Sequence, residues 1–197
     1  DTQVCRLVYG EADQLPSLIV DRYADWLAIQ TLSQATERRK AEIVDILQEI
    51  FSPRGIVERN DPKVRLLEGL DQKVSLLAGE VPPEVVAFEN GVRFHFDLFK
   101  GQKTGGFLDH RENRRVAASY ASGDVLDCFT YHGGFALTIA ARCQHVEAID
   151  LSPDEKEVWT AHSGDGGISI IDVATKKVVR SLDIQTTRAN RLQFTPD

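Results

Sequence analysis

Residues 125–150 constrain the fold of this chain more than any other stretch. An apolar run with a buried-strand pattern, Val125-Leu126-Asp127-Cys128-Phe129, leads into the turn Thr130-Tyr131-His132-Gly133-Gly134. Phe135 to Cys143 then reads as an apolar helix, and Val146-Glu147-Ala148-Ile149-Asp150 as a second strand. A strand, a turn, a helix and a strand make a β-α-β unit, whose helical crossover sets the two strands parallel and adjacent. In a sheet built from such units, ligands sit at the carboxyl ends of the strands, where a glycine turn opens the backbone to them. Gly133 and Gly134 stand in that place. Asp150 ends the second strand, where a carboxylate can accept hydrogen bonds from both ribose hydroxyls of a nucleoside-type cofactor. Asp127, near the end of the first, is placed to orient the turn or to meet an ammonium group. An NAD site asks for much the same residues, and both aspartates would also serve as plain helix caps. The turn lacks G-x-G-x-x-G, which favours S-adenosylmethionine (SAM) over a dinucleotide.

Upstream, Val85-Val86-Ala87-Phe88 and Val92-Arg93-Phe94-His95-Phe96 flank Glu89-Asn90-Gly91. Asn-Gly between alternating runs predicts a hairpin, because both residues tolerate positive φ. Residues 4–32 suit a pair of strands. In 33–51 the period becomes helical, with Ile43, Ile46, Leu47, Ile50 and Phe51 on one face and Ser52-Pro53-Arg54-Gly55 as the stop. Short apolar runs at 56–57 and 76–78 complete a small β-β-α-β-β unit, and Val81-Pro82-Pro83 marks its end. Residues 109–121 read as a helix capped by Asp109.

Gly101-Gln102-Lys103-Thr104-Gly105-Gly106-Phe107-Leu108-Asp109-His110-Arg111-Glu112-Asn113-Arg114, followed by residues 126–135, resembles the RlmI-like family of large-subunit ribosomal RNA cytosine-C5 methyltransferases. The resemblance extends upstream through residues 6–13, 15–23 and Glu58-Arg59-Asn60-Asp61, covering about residues 4–152. It implies a class I, Rossmann-like methyltransferase sheet holding SAM through Asp127, Phe129, Tyr131, Gly133, Gly134 and Asp150. It implies ribosomal RNA as partner, with Lys103, Thr104, Asp109, Arg111, Asn113 and Arg114 as candidate substrate contacts. Two positions depart from the family: Gly106 stands where Phe is usual, removing an aromatic contact, and His132 where Thr is usual, crowding the turn.

Cytosine C5 methylation calls for a cysteine thiolate that adds to C6 before methyl transfer. Cys128 in its strand and Cys143 in its helix read as small core hydrophobes, and Cys5 lies in the other domain. The family's nucleophile falls beyond Asp150, where nothing in residues 151–197 matches it, so the catalytic residues are unknown and the catalytic half is expected to be missing. Non-catalytic SAM binding is the alternative to an active transferase.

After Leu151-Ser152-Pro153 the pattern becomes a β-meander, with runs at 157–162, 167–173, 178–182 and 191–194 and the turn Ser163-Gly164-Asp165-Gly166. Ser152-Pro153-Asp154 recurs as Thr195-Pro196-Asp197, 43 residues on, about one propeller blade. Residues 159–172 resemble one repeat of the YVTN-type β-propeller family. This implies a chimera joined near residue 152; one blade cannot bury both of its faces, so alone it should be frayed or borrowed onto the partial sheet, and the alternative function is a scaffold whose blade docks on other blades. The expected architecture is α/β: a small domain over 1–83, the N-terminal half of a Rossmann-like sheet over 84–152, and a single blade over 153–197.

The remaining features exclude rather than assign. A net charge of −7 means that RNA must meet a local basic patch. Five histidines without ligand spacing and three cysteines without CxxC spacing argue against a metal and a disulfide framework. Without a membrane-spanning run or a signal-peptide profile, a cytoplasmic location is the default. The absence of Met reads as the interior of a longer protein.

Overall fold

The computed structural model describes residues 1–162 and 167–183, which form two compact units divided between Asp109 and His110. The first unit carries a five-stranded sheet of order β1-β2-β3-β4-β5, formed by Val4–Tyr9, Leu18–Tyr23, Trp26–Thr31, Gly55–Asn60 and Lys73–Gly79. Residues 4–32 therefore hold three strands, where two are expected. Only β3 and β4 run parallel, because α1 (Gln34–Arg38) and α2 (Lys40–Phe51) cross over between them. Ser33 starts the crossover with a capping box to Thr36, and Ser52 stops it in the left-handed region ahead of Pro53. A short helix, α3 (Val64–Leu67), links β4 to β5.

Alternation along the strands gives this sheet two faces. Leu18, Val20, Leu27, Ile29 and Ile56 pack under Val44 and Leu47 of α2. The helix buries a different stripe from the expected one: Ile46, Ile50 and Phe51 are exposed, while Val44 takes a core place. On the opposite face, Tyr23 meets Phe96 at 4.9 Å between ring centroids. Phe96 belongs to the expected hairpin, β6 (Val85–Glu89) and β7 (Val92–Phe96), whose Asn90 and Gly91 turn at φ 51° and 81°. Its tip is tied to the N-terminus, the Gln3 amide donating to Phe88 O and the Gly91 amide to Asp1 O. That packing puts residues 84–109 in the first unit, where a boundary near residue 83 is expected.

In the second unit α4 (Arg111–Tyr120) precedes β8 (Asp124–Cys128), α5 (Gly134–Ile139) and β9 (His145–Leu151). Strands β8 and β9 are parallel, as the crossover predicts. Ala118, Ala136, Ile139, Val146 and Ala148 form the core beneath the helices. The other face of β8 is open, with Leu126 56% exposed and Cys128 exposed, so neither the buried strand nor the core cysteine expected there is found.

The sheet continues through β10 (Glu157–His162), β11 (Gly167–Asp172) and β12 (Lys177–Asp183) in the order β12-β11-β10-β9-β8. The meander is present and is borrowed onto the β8–β9 sheet, one of the two outcomes expected of a lone blade: β10 pairs antiparallel with β9 from Leu151–Val158 to Glu147–His162. The reason lies in the turn between them. Ser152 is buried, its hydroxyl donates to Asp154 at 2.7 Å and accepts from the Glu157 amide at 3.0 Å, and its own amide donates to Glu157 O. The same residues that could begin a helix close a hairpin. Among the described residues no propeller or barrel is formed. The turn at 163–166, the run at 191–194 and the Thr195-Pro196-Asp197 repeat lie outside the described residues.

Candidate functional site

The turn after β8 is built from backbone conformations that L residues avoid. Phe129, Tyr131 and Gly133 have φ of 59°, 51° and 75°. Only glycine takes such values without steric cost, so the two aromatics carry on the order of 1 kcal/mol each. Two carboxylates hold them there. Asp127 Oδ2 accepts from the Thr130 hydroxyl at 2.6 Å and from the Ala136 amide at 3.0 Å, so it does cap α5. Asp150 Oδ2 accepts from the Tyr131 amide at 2.8 Å, and Oδ1 from the Leu151 amide at 2.9 Å. The Thr130 amide donates to Ile149 O, fastening the turn to the neighbouring strand.

All six expected cofactor residues thus lie in one place, at the carboxyl ends of the two parallel strands. Each oxygen of half-buried Asp150 makes one of these bonds and keeps acceptor capacity for a hydroxyl. Phe129 is 74% exposed, a free aromatic face beside the turn. Gly134 serves packing: a Cβ there would stand 2.6 Å from Nε of Arg114, which is 3% exposed. At six residues α5 is short, so the turn's own amides, not a helix dipole, are what it offers a ligand. His132 is buried and stacks on Tyr131 at 4.9 Å. Among the described residues no three His, Cys, Asp or Glu side chains gather as a metal site would need.

The expected RNA contacts divide between the units. In the first, Thr104 is 1% exposed and turned inward, its hydroxyl donating to Asp21 Oδ2 at 2.6 Å and bonding the Tyr23 hydroxyl at 2.9 Å. Asp109 does not cap α4; it receives Lys103 Nζ on both oxygens, at 2.9 and 2.8 Å. The Lys103 ammonium also lies over the Phe107 ring at 4.6 Å. In the second unit Arg114 is buried behind Gly134, Arg111 is half-buried and pairs with Glu112, and Asn113 is exposed. Lys103, Arg111 and Asn113 remain within reach of solvent, whereas Thr104 and Arg114 do not.

The residues that clamp the 97–109 loop carry no expected role in the sequence. Arg59, 3% exposed, donates to Leu98 O at 3.2 Å and to Gly101 O at 2.7 Å. Arg6 grips the fully buried Asp21 with two hydrogen bonds of 2.7 and 2.9 Å. Burial, and then the charge of Asp21, push the Tyr23 phenol far above its usual pKa and keep it neutral. Gly105, at φ 145°, leaves room that a Cβ would lose to Leu98 and Tyr23. An acidic residue at an inward-alternating position of β2 was the available signal.

Residues 66–157 match the model of the S-adenosylmethionine-dependent methyltransferase family. The chain is 36% identical over 191 residues to ribosomal RNA large subunit methyltransferase I of Pseudoalteromonas atlantica, covering 96% of this chain and 44% of that protein. It is 35% identical to the protein of the same name from Yersinia pestis, covering 95% and 48%. The chain therefore spans about half the length of the curated relatives that it matches. Coverage that high takes in most of residues 153–197 and gives a propeller origin or a chimera no support.

Among solved structures, a candidate SAM-dependent methyltransferase from Streptococcus mutans superposes with a TM-score of 0.64 at 23% identity, over 79% of this chain and 40% of the other. A tRNA m1G37 methyltransferase of M. jannaschii gives 0.51 at 20%, over 77% and 39%. These likenesses concern the fold. The chain has a Rossmann-like α/β fold, and over residues 66–157 it carries the pattern of the SAM-dependent methyltransferase family.

Proposed function

We propose that this chain is the cofactor-binding portion of a SAM-dependent methyltransferase acting on large-subunit ribosomal RNA at cytosine C5, and that it binds SAM without completing methyl transfer. The observation that carries the binding half is the strained 129–133 turn held by Asp127 and Asp150 at the ends of two parallel strands. Strained backbone held in place by its surroundings clusters at ligand clamps and active sites, which supports this reading. SAM, when bound, supplies an electrophilic methyl group. Asp150 accepts the ribose hydroxyls, the turn's backbone lies against the ligand, and Phe129 offers a face beside it. Lys103, Arg111 and Asn113 are the candidates for phosphate contact that solvent reaches, in a cytoplasmic setting.

The return of the chain through β10 favours binding without catalysis. A second crossover would add another parallel strand, yet among the described residues β8 is the last strand of its sheet and β10 runs back antiparallel. Calorimetric titration of the chain with SAM should give saturable one-to-one heat; no heat from folded protein would sink the reading. Tritium from methyl-labelled SAM should not reach ribosomal RNA, and transfer of label would overturn the non-catalytic half alone.

A further inference from the structure

The return strand β10 carries an aromatic side chain into the row that contains Asp150. Trp159 is the register partner of Asp150 across the β9–β10 ladder. Directly opposed residues of antiparallel strands project from the same face, with Cβ atoms roughly 4.5 to 5.5 Å apart. The row continues to Ile170 on β11 and Arg180 on β12. Asp127 shares this face as well: it pairs with Ala148, two residues before Asp150, and alternate residues of a strand point the same way. Because β10 runs antiparallel to β9, its N-terminal end lies at the carboxyl end of β9. Trp159 therefore stands at the end of the sheet where a ligand binds, beside the carboxylate assigned to the ribose.

The indole is held in place from several sides. Its Nε1 donates to Glu157 Oε2 at 2.8 Å, and the Arg180 guanidinium carbon lies 5.8 Å from its ring centroid. The ring packs against the cluster of Ala161, Ile168 and Ile170. Glu157 is fixed in turn, since its amide donates to the Ser152 hydroxyl and its carbonyl accepts the Ser152 amide. Trp159 is nevertheless only half-buried, so it keeps surface that a ligand can cover. An aromatic side chain ordered before binding gives up little freedom when a ligand arrives. The 129–133 turn lies on the β8 side of Asp150, joined to it through the Tyr131 amide, and Trp159 lies on the β10 side. The base and the amino-acid arm of SAM leave the ribose at different carbons. With the ribose on Asp150 and the arm along the turn, the base is directed to β10, where the indole offers a surface on which a purine stacks.

We propose that Trp159, on the antiparallel return strand, binds the purine base of the nucleoside whose ribose Asp150 holds. The inference rests on the SAM-binding reading above and adds to it a contact from outside residues 125–150. Trp26 is the only other tryptophan, so Trp26→Phe leaves Trp159 as the sole indole reporter. Adding SAM or adenosine to that variant should quench or shift its emission saturably, and free methionine should leave it unchanged. By calorimetry, Trp159→Ala should bind SAM about tenfold more weakly, and Trp159→Phe no more than about threefold more weakly. The emission titration keeps the indole intact, so it decides the matter even if Trp159→Ala does not fold. Emission that stays constant while SAM heat saturates, a response to methionine but not to adenosine, or wild-type affinity in folded Trp159→Ala would each overturn the proposal and leave SAM binding standing. A wild type that gives no heat with SAM would overturn both.

Discussion

Asp150 accepts the backbone amide of Tyr131 at 2.8 Å, linking the end of β9 to the one turn residue whose left-handed φ is both non-glycine and half-buried. One carboxylate thereby shapes the turn and faces its ligand. Asp150→Ala should remove both roles, lowering SAM affinity at least tenfold by calorimetry, about 1.4 kcal/mol. Asp150→Asn keeps an acceptor for the Tyr131 amide but gives up one acceptor for a hydroxyl. It should keep most of the chain's stability and lose part of the affinity. Equal affinity in Asp150→Ala and wild type would place the ligand elsewhere.

Thr104 makes the opposite point about the resemblance motif, because its hydroxyl is spent inside the protein. Thr104→Val leaves buried Asp21 short of a donor, a loss of about 1 to 3 kcal/mol in chemical denaturation. A surface substitution such as Asn113→Ala should stay within about 0.5 kcal/mol. If Thr104→Val were equally neutral, the buried network of Arg6, Asp21, Tyr23 and Thr104 would not be holding the loop.

Much of this was legible in residues 125–150, because a strand, turn, helix and strand in that order admit few arrangements. The Asn90-Gly91 hairpin was legible for a similar reason: its signal is local. What stayed hidden was non-local. The period puts Ile43, Ile46 and Leu47 on one face, and only the sheet beneath α2 decides that Val44 goes in and Ile46 stays out. Leu126 and Cys128 read as buried because an apolar strand in a doubly wound sheet usually is, whereas among the described residues that face of β8 is left open. Ser152-Pro153-Asp154 suits a helix start and a hairpin turn alike. The buried Ser152 hydroxyl, which meets both Asp154 and the Glu157 amide, decides for the turn.

Gly134 should be intolerant for a reason that its place in a ligand turn does not suggest. Its backbone is helical, so alanine meets no conformational objection, but the new Cβ would lie 2.6 Å from Arg114 Nε and 2.9 Å from Cζ. Gly134→Ala should cost about 1 to 3 kcal/mol in thermal or urea unfolding. Combining it with Arg114→Ala should cost less than the two single changes together, because the clash disappears with the guanidinium. Strict additivity in that cycle would mean that Arg114 does not occupy the space over Gly134.

The first unit should show an acid-labile step that traces to Glu37. Its partial burial would raise its pKa, but hydrogen bonds from Lys40, Thr31 and Arg65 outweigh that and hold it at about 2, against an ordinary 4.5. A carboxyl depressed in the folded state adds stability above its unfolded pKa and loses it as pH falls through the folded one. The contribution is therefore full at neutral pH and declines between about 4.5 and 2. With the side chain 23% exposed and partly screened, it is on the order of 2 kcal/mol. Buried Glu58, lowered against its own burial by Lys40, Ser75 and Lys73, shares Lys40 and moves in the same direction. Glu37→Gln should lower stability at pH 7 and flatten its decline between pH 5 and 3, read by urea unfolding at each pH. A variant curve parallel to the wild type over that range would assign the acid sensitivity to other carboxylates.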